Sequence, residues 1–148
     1  MYARILIAID GSELSLRGLE QGLMLAAQLG SKVDLLTVSE PWASGMADIQ
    51  GWAVGYESGP EYRAEREQAA NAILQPCLDR AAELEVEAEP VHVLDRFAAD
   101  GILETADERR AELIVMASHG RRGLTRVLLG SQSAEVLIRS KIPVLVVR

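Results

Sequence analysis

Short runs of branched aliphatic residues alternate along the chain with longer stretches in which apolar positions return every three or four residues. Residues 3–9 (Ala-Arg-Ile-Leu-Ile-Ala-Ile) stop at Asp10-Gly11-Ser12, the pattern of a strand buried on both faces and ended by a turn. From Glu13 to about Leu29 the residues Leu16, Leu19, Leu23, Ala26 and Ala27 recur at helical spacing. Ser12 is placed to cap that helix and Gly30 to provide its left-handed exit. Residues 33–38 predict a second strand, 88–94 a third that Pro90 favours near its start, 113–117 a fourth and 143–147 a fifth. The spacing also predicts a helix from Pro60 or Glu61 to Leu84, which Pro76 should kink or break late. Another runs from Arg96 or Phe97 to Arg109, with Asp95 as its cap and Ile102, Leu103 and Ala106 on one face. The last covers Ser131–Ser140, with Ala134, Leu137 and Ile138 inward.

Regular alternation of this kind predicts an α/β fold, a mostly parallel sheet with helices on both faces, formed as a single domain over residues 1–148. One stretch breaks the rhythm. Residues 41–60 hold Pro41, Gly45, Gly51, Gly55, Gly59, both tryptophans and Tyr56. A connection this long is either functional, as a lid or partner contact, or an irregular loop with aromatics tucked onto the core.

Composition narrows the function classes. The net charge of −7 argues against nucleic-acid or anionic-membrane binding, because both depend on positive surface potential. No stretch approaches the roughly 18–20 continuous apolar residues of a membrane span. The start of the chain shows no long apolar leader segment, so cytoplasmic residence is expected. The single cysteine, Cys77, excludes an internal disulfide and lies in an apolar-periodic stretch, where a small buried side chain is the simplest reading. His92 alternates with Val91 and Val93 and reads as a structural strand histidine.

The chemistry concentrates after the fourth strand, in Ala117-Ser118-His119-Gly120-Arg121-Arg122-Gly123-Leu124-Thr125-Arg126-Val127-Leu128-Leu129-Gly130-Ser131. Glycines let backbone N–H groups form an anion-binding concavity, and Gly130-Ser131 opens a helix whose positive end favours phosphate. Ser131 and Ser133 add hydroxyls there, and Arg121, Arg122 and Arg126 make the loop basic within an acidic chain. In open α/β sheets ligands settle beyond the C-terminal strand ends where strand order reverses. If the first and fourth strands are neighbours at that reversal, Asp10 faces the loop and can hold a ribose hydroxyl or a phosphate-bound Mg²⁺. Each feature has a plainer reading: Gly-x-x-Gly occurs in many turns, Asp10 suits a helix cap, and the arginines suit a solvated loop.

These same residues resemble the nucleotide-binding branch of the universal stress protein family. The resemblance spans the whole chain and rests on Asp10-Gly11-Ser12, on residues 113–123, on Leu128-Leu129-Gly130-Ser131 and on Pro143-Val144-Leu145-Val146-Val147. The family's ATP motif is Gly, two residues, Gly, nine residues, Gly, then Ser or Thr; here Gly120 and Gly130-Ser131 match, while Ala117 stands at the first glycine. The resemblance implies a five-stranded parallel sheet of order 3-2-1-4-5, an adenine nucleotide alpha hydrolase-like (Rossmann-like) arrangement. It implies that Ala8, Ile9 and Val38 line the adenine and ribose side, with Asp10 beside the ribose and metal. Met116, Ala117 and Gly120 would bring backbone to the nucleotide, and Gly130, Ser131, Gln132 and Ser133 would hold the phosphates. It also implies a homodimer, often formed through the last strand, which the valine-rich edge Val144–Val147 would suit.

What is missing limits the chemistry. A Gly-x-x-x-x-Gly-Lys-Ser/Thr loop, a Gly-x-Gly-x-x-Gly turn and a Gly-x-Ser-x-Gly elbow are all absent. Ser118 and His119 are chain neighbours, whose side chains are expected to diverge. Phosphoryl transfer needs a cationic clamp, a metal and a positioned nucleophile, so catalytic residues are not assigned. Three readings stay open: an ATP-binding regulatory dimer with at most slow hydrolysis or self-phosphorylation at Ser131 or Ser133, a nucleotide-free interaction protein of the same fold favoured by Ala117, and a weak ATPase or adenylate-transfer enzyme.

Overall fold

The computed structural model describes residues 1–41, 59–119 and 129–148. Among them five parallel strands, β1 (Arg4–Ala8), β2 (Lys32–Ser39), β3 (Ala88–Leu94), β4 (Leu113–Ala117) and β5 (Val144–Val147), lie in the order β3-β2-β1-β4-β5. The helices are α1 (Glu13–Leu29), α2 (Pro60–Glu83), α3 (Ala98–Arg109) and α4 (Ser131–Arg139). The loop segment 42–58 and the loop glycines and arginines Gly120, Arg121, Arg122, Gly123 and Arg126 lie outside the described residues.

The near-continuous apolar strands are explained by two cores, one on each face of the sheet. Ile5 and Ile7 of β1, Val33 and Leu35 of β2, and Leu113 and Val115 of β4 pack under α1 and α2. The alternate residues Leu6, Leu36, Ile114 and Met116 pack under α3 and α4. This layering gives helices on both faces, as the alternation predicts.

Helix α1 is delimited by local chemistry. The Ser12 hydroxyl accepts the Ser15 N–H at 3.2 Å, and Gly30 leaves the helix with φ +67°. The inward stripe differs from the leucine count, however. Leu16 is 44% exposed, and Ala27 is exposed too. The buried face is instead Ser15, Gly18, Leu19, Gly22, Leu23 and Ala26. A Cβ at Gly22 would lie 2.5 Å from Ile7 Cδ1, so the glycine lets the helix axis approach β1.

Three further expectations are corrected. Helix α2 runs unbroken through Pro76 to Glu83. The proline takes away the N–H that would bond the Ala72 carbonyl. Both residues are exposed, so water can serve that carbonyl. Asp95 does not cap α3: it adopts a left-handed φ of +57°, and the N-cap position falls to Phe97, which has no side-chain oxygen. In α4 the buried residues are Ser133 and Val136, while Leu137 is 41% and Ile138 79% exposed. The inward face is therefore turned by about one residue from the predicted one.

Cys77 is buried, and its Sγ donates to the Ile73 carbonyl, with burial raising the thiol's pKa. His92 is structural in the sense expected: its Nε2 lies 2.8 Å from Ser39 Oγ across the β2–β3 pair. Burial holds the imidazole below its ordinary 6.5, a pull that Glu67 partly opposes and Arg66 reinforces. The unfolded chain therefore takes up a proton near pH 6.5 that the folded chain accepts only at lower pH. Stability is lost as pH falls through that interval. His92→Gln, which keeps polar atoms for Ser39, is expected to flatten the decline in melting temperature just below pH 6.5, measured by thermal scans from pH 7.5 to 5.

Candidate functional site

Leaving β3 on one side, the chain crosses to place β4 on the other side of β1. Beyond the C-terminal ends of β1 and β4 this reversal opens a crevice with a cavity volume of about 100 Å³, open to solvent at its mouth. One wall is apolar. Ala8 and Ile9 from the end of β1, Leu36 and Val38 from β2, and Ala98 and Ile102 from α3 form it with Met116 and Ala117 of β4. Asp10, Ser15, His119, Gln132 and Ser133 supply the polar groups.

Each polar group is held by local structure. Asp10 Oδ1 accepts the Ser12 N–H at 2.9 Å across Gly11, whose φ of +81° makes that turn possible. Ser15 Oγ donates to the Ser12 carbonyl and accepts the Asp10 N–H, so the β1–α1 turn is cross-braced. On the other side, Ser118 N–H donates to the Val147 carbonyl and Gly130 N–H donates to Ser118 O, each at 2.8 Å. That second bond pins the two described ends of the glycine loop together. Ser133 Oγ donates to the Ala117 carbonyl at 3.0 Å in a buried contact, anchoring α4 to the end of β4. Gly130 at the N-cap of α4 offers no side-chain cap, which leaves the helix's first-turn N–H groups to other acceptors.

The structure thus brings Ala8, Ile9, Asp10, Val38, Met116, Ala117, Gln132 and Ser133 to one crevice. Gly130 and Ser131 stand at the start of α4 outside its lining, and Gly120 lies outside the described residues. Ser131 is exposed, whereas Ser133 is buried with its hydroxyl already donated, which disfavours it as a phosphate acceptor. Ser118 and His119 do not diverge: Oγ and Nδ1 lie 3.3 Å apart, with His119 turned to the crevice. Sequence reasoning missed Ser15, Leu36, Ala98, Ile102 and His119. Leu36 was recoverable by period-two alternation from Val38, but the α3 residues reach the site only through packing.

Packing of α3 against that wall is close. A Cβ at Gly101 would lie 2.8 Å from Val38 Cγ2, and Val38 lines the crevice. Valine is stiff at χ1, so Gly101→Ala is expected to push α3 outward and weaken ligand binding by roughly tenfold, a penalty on the order of 1.4 kcal/mol. Titration calorimetry against the parent protein checks this.

The model of the universal stress protein family matches residues 1–148. The chain belongs to that family. It is 33% identical to the universal stress protein YxiE of Bacillus subtilis over 149 residues, covering 100% of both chains. Among solved structures, MJ0577 of Methanocaldococcus jannaschii superposes with a TM-score of 0.82 at 24% identity, covering 99% of this chain and 96% of that one. A universal stress protein solved in complex with cAMP has a TM-score of 0.71 at 28% identity, covering 99% and 97%. Another, from Archaeoglobus fulgidus in complex with dAMP, has a TM-score of 0.71 at 19% identity, covering 99% and 98%. The universal stress protein fold is thus shared throughout, and these two relatives carry adenine nucleotides.

Proposed function

We propose that residues 1–148 act as one universal stress protein domain that binds ATP and serves as a cytoplasmic regulatory or sensing homodimer, with hydrolysis at most slow. The observation that carries the reading is the crevice itself: an apolar slot on one side and the start of α4 on the other, at the reversal of strand order. The slot formed by Ala8, Ile9, Val38, Met116 and Ala117 suits a flat apolar base. The open helix start at Gly130 and Ser131, with the Gln132 side chain and the backbone N–H of Ser133, suits phosphate. The adenine nucleotides carried by the two relatives support the same ligand class.

Mg²⁺ fits the donor set in a limited way. Asp10 is the one carboxylate among the described residues of the lining, and Mg²⁺ bound to nucleotides commonly takes one or two carboxylates besides phosphate oxygens and water. Asp10 would hold it, and the ion would supply charge neutralisation for the phosphates. Among the described residues no cluster of three His, Cys, Asp or Glu side chains forms a metal site independent of the nucleotide.

The homodimer rests on the β5 edge of the sheet. There Leu145 is 38% exposed, an edge that pairing would protect from uncontrolled association. Among the described residues no helix is long and apolar enough to cross a membrane.

The test is direct. Saturating ATP with Mg²⁺ at about a hundred times its dissociation constant is expected to stabilise the protein by ~2.7 kcal/mol, raising its melting temperature by several degrees. Mass spectrometry of the small molecule released on denaturation identifies the resident nucleotide, and sedimentation gives the oligomeric state. No released nucleotide and no heat on titration with ATP, AMP or cAMP would favour the nucleotide-free interaction protein.

A further inference from the structure

We infer that Gln132 is a positioning residue that ties the start of α3 to occupancy of the phosphate end of the crevice; this rests on the nucleotide reading above. Helix α3 begins at Ala98 with Phe97 at its N-cap and has no cap of its own. A helix start leaves its first N–H groups in need of acceptors. The acceptor that Ala99 finds is Gln132 Oε1, at 2.9 Å and from the first turn of a different helix.

A primary amide has an acceptor at one end and two donors at the other. With Oε1 fixed on Ala99, the donor end of Gln132 is what remains for a ligand. The side chain lines the crevice from the first turn of α4. A phosphate oxygen accepting from Nε2 would lock the plane of the amide and polarise it, strengthening the bond from Ala99. Because Ala98 and Ile102 of the same helix line the crevice, α3 is itself a wall of the site. Phosphate on Gln132 therefore tightens the start of α3, beside the 47% exposed Phe97. A nucleotide signal is carried to the surface there.

The experiment combines hydrogen exchange at the Ala99 amide with ATP and adenosine titrations of the parent, Gln132→Glu and Gln132→Met. ATP is expected to slow Ala99 exchange in the parent about fivefold, the scale of an ordinary helix cap, while adenosine, which lacks phosphate, leaves it unchanged. Gln132→Glu keeps a capping oxygen, so Ala99 protection without ligand and the melting temperature stay at parent values. Its carboxylate repels phosphate, so ATP affinity drops tenfold or more while adenosine affinity changes less than twofold. Gln132→Met speeds Ala99 exchange about fivefold and removes its response to ATP. ATP binding to the parent without an Ala99 response, or unchanged ATP affinity in Gln132→Glu, overturns the inference alone. Failure of the parent to bind ATP or adenosine overturns the nucleotide reading and the inference with it.

Discussion

Gly130→Val is expected to abolish the ATP-induced rise in melting temperature while leaving a folded protein. The backbone at Gly130 has φ −62° and ψ 155°, a conformation any L-residue adopts, so the glycine is not there for its torsion angles. It is there for space. A Cβ would sit 3.2 Å from both Cα and Cβ of His119 and 3.5 Å from the Ser118 carbonyl. Valine adds two methyl groups to that crowding. The Gly130 N–H is bonded to Ser118 O, so the strain falls on the segment that carries His119 into the crevice. An affinity loss of about a hundredfold, near 2.7 kcal/mol, would cancel the stabilisation that saturating nucleotide provides. Gly130→Ala, with only the tight Cβ, should fall between parent and valine. A parent-like ATP shift in Gly130→Val would show that this junction does not shape the site.

Arg4→Met is expected to destabilise the fold by about 3 kcal/mol, roughly 10 °C in melting temperature, without touching the crevice. Asp34 on β2 is completely buried, and Arg4 on the neighbouring β1 gives both of its carboxylate oxygens a donor at 3.0 Å. The hydrogen bond to Asp34 raises the Arg4 pKa, so the guanidinium stays charged throughout. Removing Arg4 strands a carboxylate in the sheet, because Arg109 is 3.8 Å away and already engaged with Glu89 at 2.8 Å. Removing the acid is milder: Asp34→Asn leaves Arg4, which is 26% exposed at its side chain, able to reach water. The double variant Arg4→Met/Asp34→Leu should recover much of the loss, since an apolar pair avoids the stranded charge. Urea unfolding of the parent, Arg4→Met, Asp34→Leu and the double variant measures the coupling, and ATP affinity should stay at the parent value in each that folds.

The sequence and the structure agree most closely where the cause is local. The Ser12 cap and the Gly30 exit bound α1 as read, because both act within one turn of chain. Strands β1 and β4 were the most legible because burial on both faces leaves their centres wholly apolar. The misses share a different cause. Asp95 is a good capping residue by type, yet the cap on α3 comes from Gln132, 33 positions away. Leu137 and Ile138 looked inward by spacing, but Ser133 fixes the rotation of α4 by donating to Ala117, and that turns them outward. Gly22 has no side chain to enter a count of apolar spacing, yet it is what lets α1 lie close to Ile7.

Asp10 could be placed at the site from its strand end alone, while the family resemblance supplied Ala8, Ile9, Met116 and Ala117, and all of these converge. Residues that join the crevice from α3 carry no such mark, since Ala98 and Ile102 are ordinary helix residues until the helix is laid across the sheet. What the amino-acid order determined by itself is the alternation of elements, their local ends and hence the family's fold. Which helix face turns inward, which oxygen caps which helix and how wide the crevice opens were decided by tertiary packing, because these depend on groups that meet only after distant segments have been brought together.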